Sequence, residues 1–409
     1  MFGDSPTTLT VTTGIRLIAT VVLSGAILTE AHSAERDFPN YGTLLDGHVM
    51  PDMEVAMLAH SDRLFPVNIV YRAGPVRPLA TAPTKLGNVQ FESGGKGYDL
   101  FDYLATNRVA GLLILKDGKV VFEDYELGID SGTRWASFSM AKSVTSTLVG
   151  AALKQGLIRS LDDPVTRYAP ALKGGVYDDV SIRNVLQMAS GVRWNETYTD
   201  PNSDQRKLTA LRLEGKPGAA LAYMKDRPRA APPGTIWNYN TGETLVLGAV
   251  LEGATHQPAA SFLSKIVWSR LGMEQDATWW LESPGGMAYA GSGIGATLRD
   301  YGRFGLLVQN DGVIDGQRIV PDGWFREAGS THEIGGNKVK YGYQWWTMQS
   351  DDTVHDGAFE AAGIFGQHLY VNPREKVVIV VLSSRPKPSR VFRMLDDDAF
   401  FAAVVRALQ

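Results

Sequence analysis

Apolar positions cluster at strand spacing near both ends of the chain and at helical spacing in between. Residues 109–127 carry two β-rich runs around Asp117-Gly118, the pattern of a hairpin with a two-residue turn. Residues 368–371 and 376–383 flank Asn372-Pro-Arg-Glu375 and predict a second hairpin, and 341–347 predicts one more strand. A long apolar helix is expected over 139–153. Ser181 caps a short helix through Ala189 that stops at Gly191. Further helices are expected at 218–225, 242–251, 258–271 and 298–308, and an amphipathic one at 392–408. Residues 37 to about 85 are rich in proline and read as irregular.

The order is strands, then helices, then strands and a helix. It predicts an α+β fold: an antiparallel β-sheet drawn from both ends of the chain, flanked by helices, with a mainly helical region inserted at about 165–290. Residues 35–104 are expected to form an arm packed on the body, and 105–409 the main domain. A cleft between sheet and insertion is the natural place for a site.

Composition narrows the function. The 409 residues are 44% apolar, enough for a sizeable core, and the net charge of -4 argues against nucleic acid as a partner. With no cysteine there is no disulfide, thiol nucleophile or Cys-ligated metal. Arg16 precedes a stretch of small and apolar residues, 17–28, too short to span a membrane but suited to a signal peptide cleaved near Ala31 or Ala34. Residues 1–34 therefore read as a leader, and export to the periplasm or the medium is expected. No integral membrane span is expected.

The chemistry centres on Ser139-Met-Ala-Lys142. Ser and Lys three apart share one helix face, and the start of a helix offers free N–H groups and a positive dipole end. A lysine beside the hydroxyl can activate it without a histidine. Two other Ser-x-x-Lys matches, Ser93 to Lys96 and Ser384 to Lys387, fall in a Gly-rich turn and around a proline, so neither opens a helix. No Gly-x-Ser-x-Gly is present, and the seven histidines form no metal-ligating pair, so neither metal nor cofactor is expected. Tyr239, just ahead of an apolar helix, is a candidate base if cationic neighbours lower its pKa. A bland reading makes it a core tyrosine with a satisfied hydroxyl. Small residues at 361–363 would let a substrate approach the backbone, and an N–H there could pair with that of Ser139 as an oxyanion hole.

Over roughly 105–385 the chain resembles the serine β-lactamase and penicillin-binding-protein-like superfamily, on the class C side. The order Ser-x-x-Lys, Tyr, Gly-rich strand carries the resemblance, with Ser181 to Gly191 and Gly293 to Gly305 as framing segments. Asn195 to Asp204, Gln344-Trp-Trp346 and Gly363 to Gln367 are similar to 6-aminohexanoate-dimer hydrolases and related esterases. The resemblance implies a β-lactamase/transpeptidase-like fold and a serine hydrolase acting on a small-molecule ester or amide through an acyl-enzyme. It implies Ser139 as nucleophile, Lys142 as its activator and Tyr239 as general base and acid. The N–H groups of Ser139 and Ile364 would form the oxyanion hole, and Tyr198, Trp346 and Gly363 would line the pocket. Two departures matter. The Tyr-x-Asn motif reads Tyr239-Asn240-Thr241, and Lys-Thr-Gly reads Ala361-Ala362-Gly363. They weigh against the alternatives of a β-lactamase or a D-Ala-D-Ala peptidase. A non-catalytic binding protein on the same fold is the other alternative.

Overall fold

Helix α1 (Pro51–Ala59) precedes strand β1 (Val67–Val70), and helix α2 (Leu100–Thr106) leads into the hairpin β2 (Val109–Lys116) and β3 (Lys119–Tyr125). A short strand, β4 (Trp135–Ala136), runs into helix α3 (Met140–Lys154). The middle of the chain holds α4 (Asp204–Glu214), α5 (Thr241–Thr255), β5 (Ala277–Trp280), β6 (Ile294–Ala296) and α6 (Leu298–Gln309). The last part supplies β7 (Trp346–Thr347), β8 (Phe359–Gly363), β9 (Gln367–Asn372), β10 (Val377–Ser383) and α7 (Asp397–Ala407). This computed structural model describes residues 38–86, 89–389 and 394–409, so the expected leader lies outside the described residues. Among the described residues no helix is long and apolar enough to cross a membrane.

The main sheet has the order β7-β8-β9-β10-β2-β3, with every pair antiparallel. Its first and last strands in chain order meet at its centre, where Val378 pairs with Leu115 and Val380 with Leu113. Strand β10 is apolar along its length because both faces are covered. Val377, Ile379 and Val381 join a core with Phe400 and Phe401 of α7, and Val378, Val380 and Leu382 join one with α3 and α6. The Pro-rich segment does cover work at the sheet's edge. Its backbone pairs with β3 through Ala82 N–H to the Val120 carbonyl and Thr84 N–H to that of Val121, so the edge is not left bare.

A second sheet, ordered β1-β5-β6-β4, was not foreseen. Its strands are two to four residues long, too short for a period-2 signal, and β1 pairs with a segment far along the chain. Other expectations shift. Residues 41–45 and 51–59 of the segment read as irregular are helical, the second opened by Pro51 at its first turn. The helix expected at 258–271 ends at Leu263 and gives way to a π turn, Ser264–Trp268. The strand expected at 341–347 is reduced to Trp346–Thr347, because Gln344 takes a left-handed conformation (φ 63°) and breaks the pairing. Helix α4 went unrecognised: most of its faces are polar, and it is set by its Ser203 cap and by Gly215 at its end.

Behind the main sheet lies a buried ionic network. Asp397 receives Arg385 through both nitrogens (3.0 and 2.6 Å) and Tyr103 OH (2.8 Å). His368 Nδ1 sits 2.8 Å from Glu360, and its Nε2 sits 3.4 Å from Asp397. Burial opposes charge on His368, but the Asp397 and Glu360 carboxylates outweigh it and raise its pKa to about 9. Burial also opposes the Asp397 charge, yet Arg385 and His368 hold its pKa well below the usual carboxylate value.

Asp397→Asn leaves two buried cations short of a counter-charge and is expected to destabilise the fold by about 3–5 kcal/mol in urea denaturation. His368 binds its proton more tightly folded than its ordinary 6.5. Its contribution is therefore complete below that pH and lost as pH rises through about 9. The stability gap between wild type and His368→Gln should narrow over that window; a gap independent of pH would contradict the charged state of His368.

Candidate active site

The second sheet places Ser139. Ser137, directly after β4, donates its N–H to the Ile294 carbonyl (2.7 Å) and accepts the Ile294 N–H on its hydroxyl (3.0 Å). Phe138 then takes a left-handed conformation (φ 43°), and Ser139 stands at the head of α3. The Ser139 hydroxyl does not cap its own helix, so it is free for other partners. Lys142 follows one turn later and is 1% exposed. Its Nζ lies 2.9 Å from Ser139 Oγ, 2.9 Å from Thr241 Oγ1 and 2.9 Å from the Gly291 carbonyl.

Strand β8 supplies the opposite wall. A Cβ on Gly363 would lie 2.4 Å from the Ser137 carbonyl, so only glycine lets the strand run this close to the Ser137–Ser139 segment. Ile364 follows, then Phe365, also left-handed (φ 64°). The Phe138 and Phe365 rings pack 5.2 Å apart, which sets the turn holding Ile364 against the turn holding Ser139. Buried Gln367 locks this arrangement. Its amide donates to the Ser383 and Ile364 carbonyls, and its oxygen accepts from Trp135 Nε1 (2.9 Å) and the Ser383 N–H.

Tyr239 ends the loop before α5. Its ring is stacked on Trp346 (5.3 Å, 24°), and Lys142 Nζ lies 5.1 Å from the ring centre. The phenol interacts with the Ser139 hydroxyl. A cavity of about 720 Å³ opens over this floor. Ser139, Tyr198, Tyr239, Trp346, Gly363 and Ile364 all line it, and Lys142 lies beneath Ser139. All the residues singled out from the sequence thus meet in one place. Glu360, His368 and Arg385 of the buried network form its far wall.

Electrostatics separates Lys142 from Tyr239. Burial lowers Lys142 from 10.5 to about 8, with the Glu196 charge acting the other way. Burial raises Tyr239 above its ordinary value, Glu196 adds to this, and the Ser139 contact opposes it. The expectation of a lowered tyrosine pKa is therefore overturned: the aromatic box around Tyr239 keeps the phenol neutral.

Two members of the site were missed. Thr241 stands where the Tyr-x-Asn pattern has asparagine and takes up contact with Lys142. Asn240 is buried and instead caps α5, its side chain accepting the Glu243 N–H (3.2 Å). Glu196 accepts hydrogen bonds from the Tyr198 hydroxyl (3.0 Å), the Thr241 N–H (3.0 Å), the Thr241 hydroxyl and Trp194 Nε1. The polar Asn195-Glu-Thr stretch held that signal, but nothing local ties it to Lys142.

A family model described as Beta-lactamase matches residues 100–403. The 6-aminohexanoate-dimer hydrolase of Paenarthrobacter ureafaciens is 31% identical over 305 residues, covering 71% of this chain and 76% of that protein. A Bacillus anthracis structure provisionally named as a 6-aminohexanoate-dimer hydrolase superposes with a TM-score of 0.74 at 23% identity, covering 86% of this chain and 92% of that one. The penicillin-binding protein of Bacillus halodurans shares the fold, with a TM-score of 0.55 at 18% identity over 76% of this chain and 99% of its own. With its α+β fold and the match across most of its length, the chain belongs to the Beta-lactamase family and is a hydrolytic enzyme of the serine type.

Proposed function

We propose that this hydrolase cleaves an ester or a linear amide through an acyl-enzyme on Ser139. The observation that carries the reading is the desolvated Lys142 amine, 2.9 Å from the Ser139 hydroxyl on the floor of a substrate-sized cavity. A lysine titrating at about 8 is partly neutral near physiological pH and can take the serine proton. Ser139 Oγ then attacks the carbonyl carbon, and the N–H groups of Ser139 and Ile364 receive the developing oxyanion. Tyr239, held neutral, gives its phenolic proton to the leaving oxygen or nitrogen, and the proton taken up by Lys142 replaces it. Water releases the acid by the reverse relay.

Tyr198, Trp346 and Gly363 line the substrate in this reading. Similarity to the Paenarthrobacter ureafaciens protein named 6-aminohexanoate-dimer hydrolase supports linear substrates. Penicillin chemistry draws less support, because Ala361 replaces the lysine that faces a β-lactam carboxylate in the Lys-Thr-Gly pattern. The leader-like residues 1–34 support export to the periplasm or the medium.

Ser139→Ala should abolish both p-nitrophenyl acetate hydrolysis and fluorophosphonate labelling; activity surviving the substitution would remove the serine from the mechanism. Tyr239→Phe should lower kcat by about 10²-fold or more, as loss of a positioned proton donor does. Because Lys142 must be neutral to act, kcat/KM should climb with pH to a plateau, with an apparent pKa of about 8. A flat profile across that pH would assign the proton to another group.

A further inference from the structure

Hydrogen bonds link the Glu196 carboxylate to the Lys142 amine through the Thr241 hydroxyl. Thr241 gives its single hydroxyl proton to Glu196 Oε1, and its backbone N–H (3.0 Å) goes to Oε2. With that proton committed, Thr241 Oγ1 can only accept from Lys142 Nζ (2.9 Å). The Gly291 carbonyl, 2.9 Å away, can likewise only accept. A neutral lysine has two N–H bonds and one lone pair. Two obligate acceptors therefore take both hydrogens, and the remaining direction, toward Ser139 Oγ at 2.9 Å, is left to the lone pair. If the Thr241 hydroxyl turned toward Lys142 instead, it would compete with Ser139 for that lone pair.

We propose that Glu196 is a positioning residue of the active site, which fixes through the Thr241 hydroxyl the direction in which the Lys142 amine offers its lone pair. The inference rests on the reading of Lys142 as the group that takes the Ser139 proton. Glu196 has four donors and no competing cation within ion-pair distance among the described residues, so it serves as an orienting acceptor and not as half of a salt bridge. Besides acting on Lys142, its charge disfavours ionisation of five phenols: Tyr41, Tyr198, Tyr239, Tyr289 and Tyr341. Burial holds each above its ordinary range, so none ionises where Lys142 titrates. Lys142 is then the group through which loss of the Glu196 charge would show in a pH profile, and the sign is fixed. The carboxylate favours the ammonium, so removing it moves the acid limb to lower pH.

The test is kcat and KM for p-nitrophenyl acetate as functions of pH in wild type, Glu196→Gln, Thr241→Val and Thr241→Ser. Glu196→Gln should lower the plateau kcat by about tenfold or more, leave KM within about threefold and shift the acid limb downward. Thr241→Val keeps the backbone N–H but loses the hydroxyl and should lose kcat by a similar factor, while Thr241→Ser restores it to within about threefold of wild type. Wild-type rates in Glu196→Gln or in Thr241→Val would overturn the proposal, as would a rate loss in Glu196→Gln with an unmoved acid limb. If Glu196→Gln does not fold, the two Thr241 variants decide alone. Hydrolysis that survives Ser139→Ala, or an acid limb that persists in Lys142→Ala, would instead strike the serine–lysine reading beneath it, and this inference would fall with it.

Discussion

Lys142 carries a polar nitrogen into a region that water does not reach, and much of the structure is arranged to tolerate it. A buried amine without partners would cost several kcal/mol. Here the nitrogen has three polar partners at 2.9 Å: Ser139, Thr241 at the start of α5 and Gly291 in the loop before β6. Those three segments are far apart in sequence, so satisfying one nitrogen fixes their mutual placement. Helix α3 is buried over nearly its whole length for the same reason: it is packed among α5, the sheet and the loop at Gln344, and its Ser143 and Thr145 hydroxyls donate to neighbouring carbonyls. The low polarity that burial creates also weakens the hold of Lys142 on its proton. Stability and reactivity thus draw on the same desolvation.

The opposite wall is held by shape more than by charge. Gly363 allows two backbones to touch, Phe138 and Phe365 hold two left-handed turns face to face, and Gln367 pins the strand ends behind them. Left-handed conformations in bulky residues carry a cost of about 1–3 kcal/mol each and persist only where the surroundings enforce them. Here the two strained residues are each other's surroundings.

What could be read from the chain divides along physical lines. The β2–β3 hairpin, strand β10, helix α3 and helix α5 were legible because long apolar runs sit between clear turn and cap signals. The Ser139, Lys142 and Tyr239 grouping was legible because its spacing and order are shared with a known family. The second sheet was not, because strands of two to four residues owe their existence to partners far along the chain. The pKa of Tyr239 was not, because its sign depends on how completely Trp346 and Tyr341 shut out solvent. Glu196 and Thr241 escaped notice because their connection to Lys142 exists only in three dimensions.

The central pairing of the first and last strands of the main sheet has a bearing on how the protein is made. Synthesis proceeds from the N-terminus, so helix α3 emerges long before β8, β9 and β10. Until those strands close against β2, the turn that holds Ile364 has nothing to pack against beside Ser139. A chain still leaving the ribosome therefore carries Ser139 and Lys142 without the opposite wall of their cavity. The topology itself defers assembly of the cavity until the last strands of the sheet have formed.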